Sequence, residues 1–187
     1  MQWKPGSGRA FAFPGVILAS SIRSRVPEGE AMTERQPSSR SCFICGRENP
    51  FGLKARWESD RRTGEVRSRL VIPEHFNGYP GVVHGGIITA ILDEAMARSV
   101  LVEGGFDDLL VTAKLEVTFR RPTPTDTPVT VVGRLVRRVS SRAIAEAELR
   151  LADGTVTARA EATMAKPPAE VAAGWEKERP FWKVDHD

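Results

Sequence analysis

The chain has 187 residues and a mass of 20.6 kDa, the size of one ordinary domain with room for tails. Hydrophobic residues at 41% and charged residues at 27% are globular proportions, and no apolar run approaches the roughly 18 residues of a membrane span. The net charge of +3 and pI near 9.1 raise nucleic acid as a partner, but residues 1–31 carry two of those charges. Residues 32–187 hold 23 basic against 22 acidic groups, so neither a nucleic-acid nor a membrane partner is expected. Two cysteines, Cys42 and Cys45, cannot frame a disulfide-rich secreted domain, which points to a reducing compartment, the cytoplasm.

Residues 1–31 have no helical or alternating period and are broken by Pro5, Pro14 and Pro27. The apolar stretch Ala10 to Ala19 is cut by Pro14 and poorly suits a signal-peptide core, while the lack of acids before Glu28 faintly resembles a transit peptide. Met32 opens a polar leader, and arginine outnumbers lysine 21 to 6, as GC-rich coding DNA with spurious upstream frames produces. Residues 1–31 are therefore expected to be disordered or not made in the cell. Residues 1–41 as a whole read as a leader, 42–166 as the folded domain, and 167–187 as a short helix or tail on its surface.

Within the domain, Gly52 to Glu58 and Glu65 to Ile72 read as two strands joined by a turn at Asp60 to Gly64. A Pro- and Gly-rich loop, Pro73 to Gly81, leads to a helical run from Gly86 to Val102 that is apolar on every side and is stopped by Gly104-Gly105. Four strands follow: the alternating run Val111 to Phe119, then Val129 to Val139, Arg142 to Leu151, and Val156 to Met164. Asp153-Gly154 predicts a type I′ hairpin between the last two. Strands with one apolar face pair antiparallel, and a helix apolar all round must be enclosed. The expected fold class is α+β, a curved antiparallel sheet wrapped around one long central helix, with alanines on the inward face of two strands allowing close approach.

The chemistry is concentrated at His84-Gly85-Gly86 and the helix behind it. Two glycines at a helix start leave backbone N–H groups uncovered at the positive end of the dipole, a place for an anion or a developing oxyanion. His84 gains nothing there from a charge and is expected to hold the loop by hydrogen bonds. Glu94 has Arg98 four residues on, the favourable order for an ion pair. Asp93 has no basic residue one turn away in either direction. An unpaired carboxylate in an enclosed helix is costly, which makes Asp93 a candidate general base. Gly85 and Asp93 lie eight residues apart, about 12 Å along a helix, so one chain cannot bring both to one carbonyl. A homodimer with two shared sites can.

His84-Gly85-Gly86 with an acid nine positions after the histidine resembles the hotdog-fold acyl-CoA thioesterases, in the PaaI-like branch similar to the phenylacetate-pathway thioesterase. The resemblance runs from Cys42 to Lys166. It takes in Cys42-Phe43-Ile44-Cys45-Gly46, Asn49-Pro50, Gly52-Leu53, Gly78 to Gly86, Leu92 to Met96 and Phe119-Arg120-Arg121-Pro122. It implies hydrolysis of acyl-CoA thioesters by a homodimer or a dimer of dimers. The implied oxyanion donor is the Gly85 N–H with Gly86 close by, and the implied base or nucleophile is Asp93. Thr112 is the implied assisting hydroxyl, although the alternation puts it on the polar face of its strand. A polar side chain six residues before the histidine helps some relatives; that position is Gly78 here, with Asn77 beside it. Arg120 and Arg121 are candidates for the CoA phosphates, or a solvated strand end. Whether Asp93 activates water or attacks to form an anhydride stays open at this level.

Cys42 and Cys45 have zinc-like spacing, but one chain supplies no second pair, and His75 is the only further ligand in view. No metal and no cofactor are expected, and the pair reads as loop structure. GxxxxGK[ST], HExxH and GxSxG do not occur. Two rivals remain. A non-catalytic acyl-CoA-binding or sensing hotdog module would not need Asp93. A hotdog hydratase would want a histidine shortly after Asp93, and His75, His84 and His186 supply none.

Overall fold

A computed structural model describes residues 33–184, which lie in one unit, Ala31–Asp187; the reading of residues 1–31 as a disordered or absent leader lies outside the described residues. In chain order the strands are β1 (Thr33–Arg35), β2 (Glu58–Asp60), β3 (Glu65–Val71), β4 (Asn77–Tyr79) and β5 (Val82–Val83). The helix α1 (Gly85–Ser99) follows, then β6 (Val111–Phe119), β7 (Pro128–Val139), β8 (Arg142–Leu151), β9 (Val156–Ala165) and a short α2 (Ala169–Ala173). Seven strands make one antiparallel sheet in the order β1-β2-β3-β7-β8-β9-β6, and β4 pairs with β5 apart from it. The α+β class and the sheet around a central helix are as the sequence predicts.

The inward face of the sheet shows how the helix is enclosed. Ala143, Ala145 and Ala147 of β8 and Ala158, Ala160 and Ala162 of β9 are all buried, and small side chains there bring the sheet close to α1. At Gly133 of β7 the approach is closest. A Cβ at that position would stand 2.4 Å from the Ala95 carbonyl oxygen of the helix. Ile88, Ile91, Leu92, Ala95 and Met96 of α1 fill the space with Val66, Val131, Leu149 and Met164 of the sheet.

Local chemistry moves several predicted boundaries. The strand expected from Gly52 shrinks to Glu58–Asp60 because Lys54 takes a left-handed φ of 56°. Its ammonium caps the carbonyls of Gly46 and Arg47, while Leu53 and Ala55 donate to the backbone of Phe43 and Ile44. The β8–β9 connection is not type I′. Gly154 has φ +83° while Asp153 stays at negative φ, and Gly154 N–H closes a turn onto Leu151, so one left-handed glycine completes a three-residue loop. The helix ends at Ser99, short of Gly104, in tight turns from Leu101 to Arg98 and Val102 to Ser99.

Residues 33–41, placed in the leader by sequence, pair into the sheet as β1 and bury Gln36 and Ser38. Ser38 bridges Lys183. The segment after β9 is held by three arginine–aromatic stacks: Arg40 of this strip on Phe181, Arg98 of α1 on Trp182, and its own Arg179 on Phe106. Among the described residues no helix is long and apolar enough to cross a membrane.

Candidate active site

The β4–β5 hairpin delivers the chain to the helix start. His84 N–H donates to Phe76 carbonyl and places His84 as N-cap, with its own carbonyl accepting from Ile87 and Ile88. Gly78 makes this possible, since a Cβ there would press on His84 Cα at 3.2 Å and on its ring at 3.3 Å. His84 Nδ1 accepts from Gly86 N–H at 2.9 Å, so the side chain caps the helix start.

That bond separates the two glycines. Gly86 N–H is already satisfied by His84. Gly85 N–H has no hydrogen-bond acceptor among the described residues. It lies at the positive end of a 15-residue helix, where an uncovered amide favours an anion. Of the two glycines named from the sequence, Gly85 is the one whose N–H stays uncovered among the described residues.

Phe119, at the end of β6, covers this point. A Cβ on Gly85 would come within 3.3 Å of its ring edge, yet Phe119 is 52% exposed. Its ring edge stands where a Gly85 side chain would begin, and about half of the residue is open to solvent. The sequence reading absorbed Phe119 into the alternation of its strand; an aromatic at the strand end before Arg120-Arg121 was the available signal. Arg120 and Arg121 follow it with exposed side chains, both N–H groups held by the Thr157 carbonyl. Asn77 is exposed in β4, its backbone paired with Val83, and shares no hydrogen bond with the helix start among the described residues.

Two turns along the helix, Asp93 is half-buried, and Thr112 Oγ1 donates to its Oδ1 at 2.6 Å. Strict alternation would have pointed Thr112 away from the helix. The register of β6 against β9 shifts between Thr112 and Lys114, leaving Ala113 as an extra residue. This bulge turns Thr112 toward α1 and leaves Ala113 exposed. Burial pushes the Asp93 carboxyl above its ordinary value, the Thr112 hydrogen bond opposes that rise, and the charge of Glu94 adds to it. A carboxylate held by one hydroxyl and raised by its surroundings is suited to take a proton.

Glu94, the next position round the helix, is paired, as its spacing predicts. Arg98 Nε donates to Glu94 Oε1 at 2.8 Å. The guanidinium is only 2% exposed and also reaches the Pro37 carbonyl and Cys45 Sγ.

A curved antiparallel sheet closed over one helix, with an uncovered amide at the helix start and an acid on the helix, defines a hotdog-type domain. The chain belongs to the thioesterase superfamily, whose sequence pattern matches residues 80–158. It is 33% identical over 96 residues to a protein of Saccharolobus solfataricus assigned by name as an esterase, a match spanning 50% of this chain and 67% of that one. It is 34% identical over 68 residues to the acyl-coenzyme A thioesterase THEM4 of Mus musculus, covering 36% of this chain but only 27% of the mouse protein. Among solved structures, a thioesterase superfamily protein superposes with a TM-score of 0.63 at 28% identity, over 68% of this chain and 61% of that one. A phenylacetic acid degradation-related protein of Ralstonia eutropha superposes with a TM-score of 0.55, also at 28% identity, over 60% of this chain and 85% of its own.

Proposed function

We propose that this protein hydrolyses acyl-CoA thioesters to free CoA and a carboxylic acid, in sites shared between two copies of the chain. The observation that carries the reading is the Thr112–Asp93 hydrogen bond of 2.6 Å. A bulge turns a hydroxyl onto a half-buried acid that has no cationic partner on its helix, an arrangement a passive binding module has no use for. Membership of the thioesterase superfamily supports thioester chemistry. The acyl-coenzyme A thioesterase named among its relatives supports CoA as the carrier.

In this reading the thioester oxygen accepts from Gly85 N–H, and the Asp93 carboxylate of the second copy takes a proton from water as that water attacks the carbonyl carbon. The tetrahedral intermediate collapses to the acid and expels CoA as the thiolate. Phe119 lines the approach to the Gly85 amide, and Arg120 and Arg121 lie beside it for the phosphates. Gly85 and Asp93 lie about 12 Å apart on one helix, which makes the second copy necessary. The outer edge of β6 is unpaired among the described residues, a nine-residue strand open to a second chain.

The test is release of CoA from a panel of acyl-CoAs by wild type, Asp93→Asn and Gly85→Pro. Proline fits the first helical position after a residue at φ −60°, ψ 133° and removes the N–H, while its Cβ comes 3.3 Å from the half-exposed Phe119 ring, which can give way. Losing that donor is expected to lower kcat about 100- to 1,000-fold. Co-refolding the two inactive variants then restores about a quarter of wild-type activity, because half of the dimers carry one intact site of two. Absence of recovery would overturn the shared site. Absence of CoA release by wild type with acyl-CoA binding retained would favour the non-catalytic module.

A further inference from the structure

About 100° round α1 from Asp93, three ligand atoms converge that the sequence did not join. Cys42 Sγ, Cys45 Sγ and a Glu94 carboxylate oxygen lie within 4.8 Å of one another. We propose that Cys42, Cys45 and Glu94 form a binding site for one divalent cation of borderline softness, zinc being the best fit. The cysteine pair alone argues against a metal; the fold supplies the third ligand from the helix, in place of His75.

The geometry is close to what the ion requires. Tetrahedral zinc with Zn–S about 2.3 Å and Zn–O about 2.1 Å sets a sulfur and an oxygen ligand about 3.6 Å apart. Cys42 Sγ and Glu94 Oε2 are 3.7 Å apart. Both thiols come from one tight turn in which Gly46 N–H bonds back to the Cys42 carbonyl at 2.8 Å. That turn admits no other residue at position 46, since a Cβ would stand 2.4 Å from the Cys42 oxygen.

The groups around the ligands point the same way. Ile44 N–H donates to Cys42 Sγ at 3.3 Å and Arg98 Nη2 to Cys45 Sγ at 2.9 Å, so each sulfur is already oriented by a donor outside the cluster. Arg98 Nε holds Glu94 Oε1 and leaves Oε2 turned to the thiols, so the guanidinium orients the ligands from outside the cluster. Charge closes as well. Two thiolates and a carboxylate carry three negative charges, matched by a divalent ion and the Arg98 cation. On binding, each thiol passes its proton to solvent as its sulfur takes the ion, and no electron moves. Cys42 and Glu94 are only partly buried, which leaves an entry side and a fourth position for water. The bound ion would tie the 42–46 turn to the helix one residue past Asp93.

The inference does not depend on thioester hydrolysis, and its readout is metal content, not CoA release. Full-length chain without an affinity tag, reduced and freed of metal, is titrated with cobalt(II) and then zinc(II). One cobalt per chain is expected, with thiolate-to-cobalt charge-transfer absorption that zinc abolishes, and both thiols become protected from a thiol reagent. Cys42→Ser or Cys45→Ser should lose about half of that absorption, and Glu94→Gln should weaken cobalt binding about tenfold or more, with far-UV circular dichroism verifying each fold. Wild type alone decides the matter if variants fail to fold: two countable thiols with no charge-transfer band at stoichiometric cobalt would overturn the site. So would absorption that survives unchanged in both cysteine variants.

Discussion

Thr112→Val removes one hydroxyl and keeps the shape of a β-branched side chain, so it isolates the hydrogen bond to Asp93. Hydrogen bonds to charged groups contribute about 1.5–3 kcal/mol, and the half-exposed position of Asp93 places this one near the lower end, at about 1.5 kcal/mol. The bond favours the ionised carboxylate. Its loss adds to the upward push of burial, and about 1.4 kcal/mol is a tenfold change in proton affinity. The acidic limb of the pH profile of kcat/KM for CoA release should therefore move toward higher pH in Thr112→Val, while the plateau above it stays near wild type. Thr112→Ser, which keeps the hydroxyl, should return the limb to its place. An acidic limb that does not move in Thr112→Val, with hydrolysis otherwise intact, would show that Asp93 is not the titrating base.

The same burial has a cost in stability that Asp93→Asn exposes. Because the folded-state carboxyl is raised above the ordinary 3.8, its contribution is fully present below that value and is lost as pH rises through the folded one. Asparagine does not ionise and can still accept from Thr112. The melting-temperature advantage of Asp93→Asn should thus be near zero at about pH 4 and open toward neutrality; a gap equal at both would contradict the reading. Gly133→Ala tests the closest sheet–helix approach. Overpacking costs about 1–3 kcal/mol, and a backbone neighbour at 2.4 Å places it at the top of that range, a drop of roughly 6–12 °C for a chain of this size. Ala95→Gly should not rescue it, because the nearest atoms belong to the backbone. Thermal denaturation checks both, and a loss under about 2 °C would refute the contact.

Legibility in the sequence followed the range of the interactions. The enclosing of α1 could be read from a run apolar on every side, and the Glu94–Arg98 pair from a four-residue spacing, because both are local. Thr112 was misplaced because alternation assumes an unbroken ladder, and the bulge at Ala113 depends on how β6 meets β9. The β8–β9 turn was misjudged because Asp-Gly permits two loop geometries, and the flanking register chose between them. Gly86 looked equivalent to Gly85 until the His84 ring was in place. The strip at 33–41 is polar and read as leader; it is ordered by Lys183 and by β2, contacts separated from it by long stretches of chain.

The two acids in succession on α1 show how one helix separates two tasks. Neighbouring positions on a helix point about 100° apart, so Asp93 faces the β6 bulge while Glu94 faces the cysteine turn. Glu94 is bound to the buried Arg98, whose Nη1 and Nη2 also donate to the Pro37 carbonyl and Cys45 Sγ. That arrangement keeps the Arg98 cation fixed on Glu94 and away from Asp93, whose one side-chain hydrogen bond among the described residues comes from the uncharged Thr112. Had Arg98 paired with Asp93 instead, the acid would be held low and could not serve as a base near neutral pH. The engagement of Glu94 is therefore a condition for the role proposed for its neighbour, and the cysteine turn that helps to hold Arg98 contributes to it whether or not an ion is bound.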